Sequence, residues 1–291
     1  MRNGSGQGGV GFIAVLVLAL LSGCASARRM VAPEPALSAS VEMTGPSGQF
    51  RIEYTPADAQ DAARVQRAVE QALPRLARWG TLRETVIVKV MPNHAALANA
   101  VQQRGLGWLR AWSRYDEVLV QAPASWGLGG ASQPQIDELL LHELTHSLMY
   151  QLAADRLGWS RKRIPLWFRE GMASFTAEQS YRWVSLEEIA RHLERNPTSD
   201  PVSKPGDLYR DDSNLIYGAA HHAFTFLVRR YGEDSVRALL GEMRGGKDFP
   251  EAFESVIGVP PDTYVRDFTR YVRWRGFRSG RLPPRTHPPR N

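Results

Sequence analysis

The chain has 291 residues and a formal net charge of +6, from 36 basic and 30 acidic side chains. Only Lys89, Lys162, Lys204 and Lys247 are lysine, and the basic residues are spread along the chain and balanced by the acids, so no nucleic-acid module is indicated. A single cysteine, Cys24, excludes a disulfide framework within one chain, and no internal repeat, heptad or cofactor-binding glycine fingerprint is present.

In chain order, Arg2 is followed by a Gly/Ser-rich stretch and then by the apolar run Val10 to Leu21. That run is shorter than the roughly 20 residues needed to cross a bilayer, so it reads as a signal-peptide core. Leu21-Ser22-Gly23-Cys24 resembles the bacterial lipobox. The resemblance implies a signal peptide over residues 1–23 and lipidation of Cys24; the alternative is a secretory signal with an incidental cysteine. With Ala25 next, it further implies a lipid-anchored protein of the cell envelope, in the outer membrane facing the periplasm where the cell has one. Residues 24–47 are rich in Ala, Ser, Pro and Gly without an apolar period, the composition of a flexible tether.

Residues 48–276 are long enough for one domain with a single core. Phe50 to Tyr54 alternates apolar and polar residues, predicting a half-buried strand. A helix is expected over Ala57 to Trp79, with Pro74 kinking or ending it early. Thr85 to Met91 and Glu117 to Gln121 predict two further strands, with a short helix from His94 to Arg104 between them. The loop Trp126 to Ala131 is glycine-rich and expected to move over a neighbouring cleft. Ser132 and Gln135 have the spacing of a capping box that opens the next helix.

That helix, within the apolar run Ile136 to Leu152, carries His142-Glu143-Leu144-Thr145-His146. Positions i and i+4 share a helix face, so both imidazoles project together, as two ligands of a tetrahedral Zn²⁺ must. Glu143 is placed to reach a water at the metal without ligating it. This is the HExxH pattern of zinc peptidases; the bland alternative is a surface helix that happens to carry two histidines and a glutamate. Two dozen residues past His146, after a helix end near Gly158 and the basic turn Arg161-Lys162-Arg163, Glu170 stands in Trp167-Phe168-Arg169-Glu170-Gly171-Met172-Ala173-Ser174-Phe175 as a third candidate ligand.

HELTH followed by WFREGMASF resembles the gluzincins, and among them the bacterial peptidase MA-like domains; its W-x-x-E-G-x-A core is also similar to the gluzincin aminopeptidases. The resemblance implies that His142, His146 and Glu170 ligate Zn²⁺ and that Glu143 is the general base. It also implies an α+β, zincin-like fold: a small twisted β-sheet packed on the HExxH helix, followed by a mostly helical carboxy-terminal half. Its last strand would be an edge strand that aligns an extended peptide, although an internal strand fits the residues as well. Ser147-Leu148-Met149-Tyr150 departs from the metzincin continuation, and the G-x-M-E-N segment of the aminopeptidases is absent.

The carboxy-terminal half predicts helices over Ser185 to Arg195, Leu215 to Tyr231, Ser235 to Met243 and Asp262 to Trp274, separated by Pro/Gly breaks. Tyr217 with the later Tyr231-Gly232 again resembles the MA-like domains, which implies Tyr217 as the donor that stabilises the oxyanion; a core tyrosine is the alternative. His221 lies one turn further on, and Ser174 one turn past Glu170, where a hydroxyl would orient a ligand. Residues 277–291 form a basic Pro/Arg-rich tail expected to be disordered. The expected function is a membrane-anchored zinc metallopeptidase, an endopeptidase acting on cell-envelope peptides or proteins. The competing one is a zincin-fold lipoprotein that binds or assembles without turnover.

Overall fold

The structure, a computed structural model, describes residues 35–102, 106–206, 208 and 212–278. The signal segment, Cys24 and the tail beyond Arg278 lie outside these residues. Five strands form one sheet in the order β1-β2-β3-β5-β4: β1 is Ala39–Gly45, β2 Gly48–Tyr54, β3 Val86–Met91, β4 Ala111–Ser113 and β5 Glu117–Gln121. The central strands β2, β3 and β5 run parallel, while β1 pairs antiparallel with β2 and β4 antiparallel with β5. Alternation decides the two faces. Phe50, Ile52, Val86, Val88, Val90, Val118 and Val120 share one buried cluster with apolar residues of α1 (Ala59–Ala77) and α3 (Gln133–Ala153). Met91 and Leu119 point the other way, to Leu97 of α2 (His94–Ala100).

Three expectations are revised. Residues 24–47 are not all tether, because Ala39 to Gly45 pairs with β2 along seven residues and packs Val41 and Met43 on the core. The strand Glu117–Gln121 is internal; the edge strand on its side of the sheet is the three-residue β4, too short to show a period. Pro74 does not end α1, which runs on to Ala77. The glycine-rich loop is tied down at its ends: the Trp126 indole donates to the Gln121 carbonyl at 2.9 Å, and the Ala131 amide to the Pro123 carbonyl at 2.8 Å.

The rest is helical: α4 Leu166–Thr176, α5 Leu186–Arg195, α6 Ser213–Arg244, α7 Phe249–Ile257 and α8 Pro261–Arg278. Gly232 breaks α6 at φ 83° and ψ 166°, near the predicted division between its two halves. Trp167, Phe168, Phe249, Phe253 and Tyr264 interlock between α4, α7 and α8 with centroid separations of 5.1–6.2 Å. Among the described residues, no helix is long and apolar enough to cross a membrane.

Candidate metal centre

Helix α3 starts as its sequence predicts, the Gln135 side chain accepting the Ser132 amide at 2.8 Å. Ile136, Leu140, Leu144 and Leu148 are buried and face the sheet and α1. Nearly the whole second half of the helix is buried, which fixes His146 in the interior, while His142, half-buried, stands at the cavity one turn before it. Their ring centroids are 4.9 Å apart.

Glu170 arrives on α4. Its Oε2 lies 3.5 Å from His142 Nε2 and 3.6 Å from His146 Nε2, and the three donor atoms fall within 4.8 Å of one another. A tetrahedral ion with arms of about 2.0–2.1 Å has ligand edges of about 3.4 Å, so both measured edges fit. The close approach depends on Gly171. A Cβ there would meet the Ala220 carbonyl oxygen and Phe224 Cβ at 2.5 Å each, so α4 lies directly against α6 only because this residue has none.

Of the two imidazoles, His142 is oriented as a metal would require. Gln179 Nε2 donates to Glu138 Oε1 at 2.8 Å, and a carboxylate accepts only, so the Gln179 oxygen must face His142. That oxygen lies 2.9 Å from His142 Nδ1, which therefore carries the proton and leaves the Nε2 lone pair turned toward Glu170. Among the described residues His146 has no such partner: its Nδ1 is buried without a hydrogen bond, and its ring stacks on Tyr150 at 6.2 Å. Burial opposes the ionised form of Glu170, yet the adjoining imidazoles hold its carboxyl well below the usual carboxylate range. Burial likewise opposes charge on His142, but Glu170 and Glu143 outweigh it and raise its pKa. A field that favours a proton here favours a cation too, so these three residues could hold a divalent metal.

Glu143 stays outside the triad. The Ser113 hydroxyl, on edge strand β4, donates to Glu143 Oε2 and lies 2.9 Å from its backbone carbonyl. His142, Glu143, His146 and Glu170 all open onto one cavity of about 500 Å³. Its walls include Ala111 to Ser113 of β4, Tyr217 of α6 and four tryptophans, Trp108, Trp112, Trp126 and Trp183. Tyr217 stacks on Trp183 at 5.4 Å. His221 is not in that wall; it is buried, with Nδ1 3.0 Å from Ser174 Oγ. Ser174 therefore meets His221 rather than a candidate ligand, and the orienting role expected of it falls to Gln179.

Gln179 and Ser113 carry no signal that sequence reading registers, since their partners lie 37 and 30 positions away. Compared with known proteins, residues 126–273 match the sequence profile of the Peptidase MA superfamily. Among solved structures the chain is similar to an aminopeptidase N family protein from Idiomarina loihiensis, at 12% identity and a TM-score of 0.45. That similarity covers 79% of this chain and 46% of the other, so this chain spans less than half of that protein. No curated protein matches by sequence.

Proposed function

The chain belongs to the Peptidase MA superfamily, and on that premise we propose that it is a zinc-dependent endopeptidase of the cell envelope, anchored through lipid on Cys24. One observation carries the reading: two imidazoles and a carboxylate converge at one end of a cavity while a second carboxylate, Glu143, stands beside them with a different partner. A site that merely tied helices together would favour four protein ligands and has no use for a separate base.

In this reading His142, His146 and Glu170 hold Zn²⁺. Bound there, the ion supplies Lewis acidity toward a carbonyl and makes water more acidic. Glu143 takes the proton of the attacking water and returns it to the leaving amine. The Ser113 hydroxyl steadies the Glu143 carboxylate toward the cavity. Edge strand β4 offers backbone groups along which an extended peptide pairs as an added strand. Tyr217, in the opposite half of the chain, supplies the donor toward the developing oxyanion.

Zinc stoichiometry of the purified protein, paired with cleavage of a peptide library before and after chelation, tests the proposal. One equivalent of zinc and chelator-sensitive cleavage is the expected result; cleavage that survives full removal of metal contradicts it. For the anchor, Cys24→Ser should shift the protein from the membrane to the soluble fraction, and unchanged fractionation would refute lipidation.

A further inference from the structure

Resting on that reading, the charges of the cavity go further and name a substrate class. Five arginine and glutamate side chains line it: Glu143, Glu170, Arg110, Arg169 and Arg182. Glu170 is held between the two imidazoles and Glu143 takes the Ser113 hydroxyl. Arg182 is already paired with Glu138 at 2.7 Å. The other two arginines are uncommitted to any acid among the described residues. Among the described residues Arg110 donates to the Gly107 and Leu109 carbonyls, at 2.8 and 3.0 Å, and Arg169 meets the Tyr150 hydroxyl while its Nε is buried without a hydrogen-bond partner. A buried guanidinium donor left unpaired is costly and calls for an acceptor that completes it. A divalent cation at the triad would balance Glu143 and Glu170, leaving the two arginines as net positive charge.

The surroundings strengthen that charge. Three half-buried tryptophans of the wall, Trp112, Trp126 and Trp183, lower the local polarity and so weaken screening. Arg169 also lines the same cavity as His142, His146 and Glu170, so a group bound by its planar fork lies in the compartment of the reacting centre. Two parallel N–H groups of a guanidinium match the two oxygens of a carboxylate. We infer that Arg169 is a specificity-determining residue that takes a carboxylate of the substrate, with Arg110 adding favourable potential where edge strand β4 begins. The carboxylate belongs either to an acidic side chain near the scissile bond or to a free peptide terminus.

The test uses zinc-loaded protein and a peptide set identical except for Glu, Gln or Lys at one position, each with a free or amidated carboxy terminus. Values of kcat/KM are measured on the wild type, and binding of labelled peptides is measured by fluorescence polarisation on Glu143→Gln. The carboxylate form should exceed its neutral counterpart by about tenfold to a hundredfold in both measurements. In Arg169→Gln the ratio should collapse toward one while zinc content and melting temperature hold. A Glu-over-Gln difference assigns the side chain, and a free-over-amide difference assigns the terminus. A ratio near one in the wild type, an unchanged ratio in Arg169→Gln, or no peptide binding at all overturns the inference. Should Arg169→Gln fail to fold, Arg169→Lys decides, because it keeps the charge and loses the fork; a wild-type ratio there also overturns the inference. Arg169-dependent binding without any cleavage would leave the carboxylate assignment standing and remove the peptidase reading instead.

Discussion

An imidazole can offer either nitrogen to a metal, and at His142 the choice is made by Gln179. Its amide is oriented by Glu138, so its oxygen accepts from Nδ1 and frees Nε2 for the triad. Removing such a partner typically costs about 10–100-fold in metal affinity. Gln179→Leu should lose that much in a competitive zinc titration, while Gln179→Glu, which still accepts the Nδ1 proton but sets a second carboxylate against Glu138, should recover only part of it. Equal zinc affinity in Gln179→Leu and wild type would remove Gln179 from the account. His221 sets a pH dependence of stability. Burial first, then the neighbouring His222 and Arg229, push its pKa down to about 4 from 6.5. Above pH 6.5 the ring is neutral in both folded and unfolded chains and costs nothing. As pH falls from 6.5 toward 4, the unfolded chain takes up the proton and the folded one does not, so stability drops by up to about 3 kcal/mol. Denaturant melts across that window should show a steeper acid loss in wild type than in His221→Gln; parallel curves would contradict the assignment.

Elements carry these residues to one place, and α4 is where the tolerance is smallest. Gly171→Ala places a methyl at 2.5 Å from both the Ala220 oxygen and Phe224 Cβ. Overpacking of this kind costs about 1–3 kcal/mol, and relieving it by moving α4 displaces Glu170 from its place beside the histidines. Thermal melts should therefore fall together with zinc occupancy, and a variant that melts lower but binds zinc normally would separate packing from the site. The same elements show what the sequence makes legible. The α3 cap, its i, i+4 histidines and the Trp167 to Phe175 segment are local patterns, readable because helix geometry alone places them. Strand β1 is a harder case: Ala39, Val41 and Met43 do alternate with Ser40, Glu42 and Thr44, but the Ala/Ser/Pro-rich surroundings hide the period. Strand β4 has three residues and no period to read, and its role comes entirely from pairing with β5. Helix α7 has a capping box, Asp248 accepting the Glu251 amide at 3.1 Å, which is legible in principle between its two prolines and glycines.

At the scale of the whole molecule, a sheet and α3 form one half of the site, and α4, α6 and the Gln179 turn form the other. The cavity between them brings together Glu143 and Ser113 from the first half with Glu170 and Tyr217 from the second. Long-range geometry of this kind explains why the histidines and glutamates could be named from sequence while Ser113, Gln179 and the unpartnered Nε of Arg169 could not. The central claim is that Glu143 acts as a base beside a metal it does not hold. Glutamine has the same shape but cannot take a proton from water, so the most direct measurement is zinc stoichiometry and peptide cleavage rate on the same preparation of Glu143→Gln. The account predicts one equivalent of zinc, an unchanged fold and a rate lowered by about 10²–10⁴-fold; cleavage at the wild-type rate with zinc in place would contradict it.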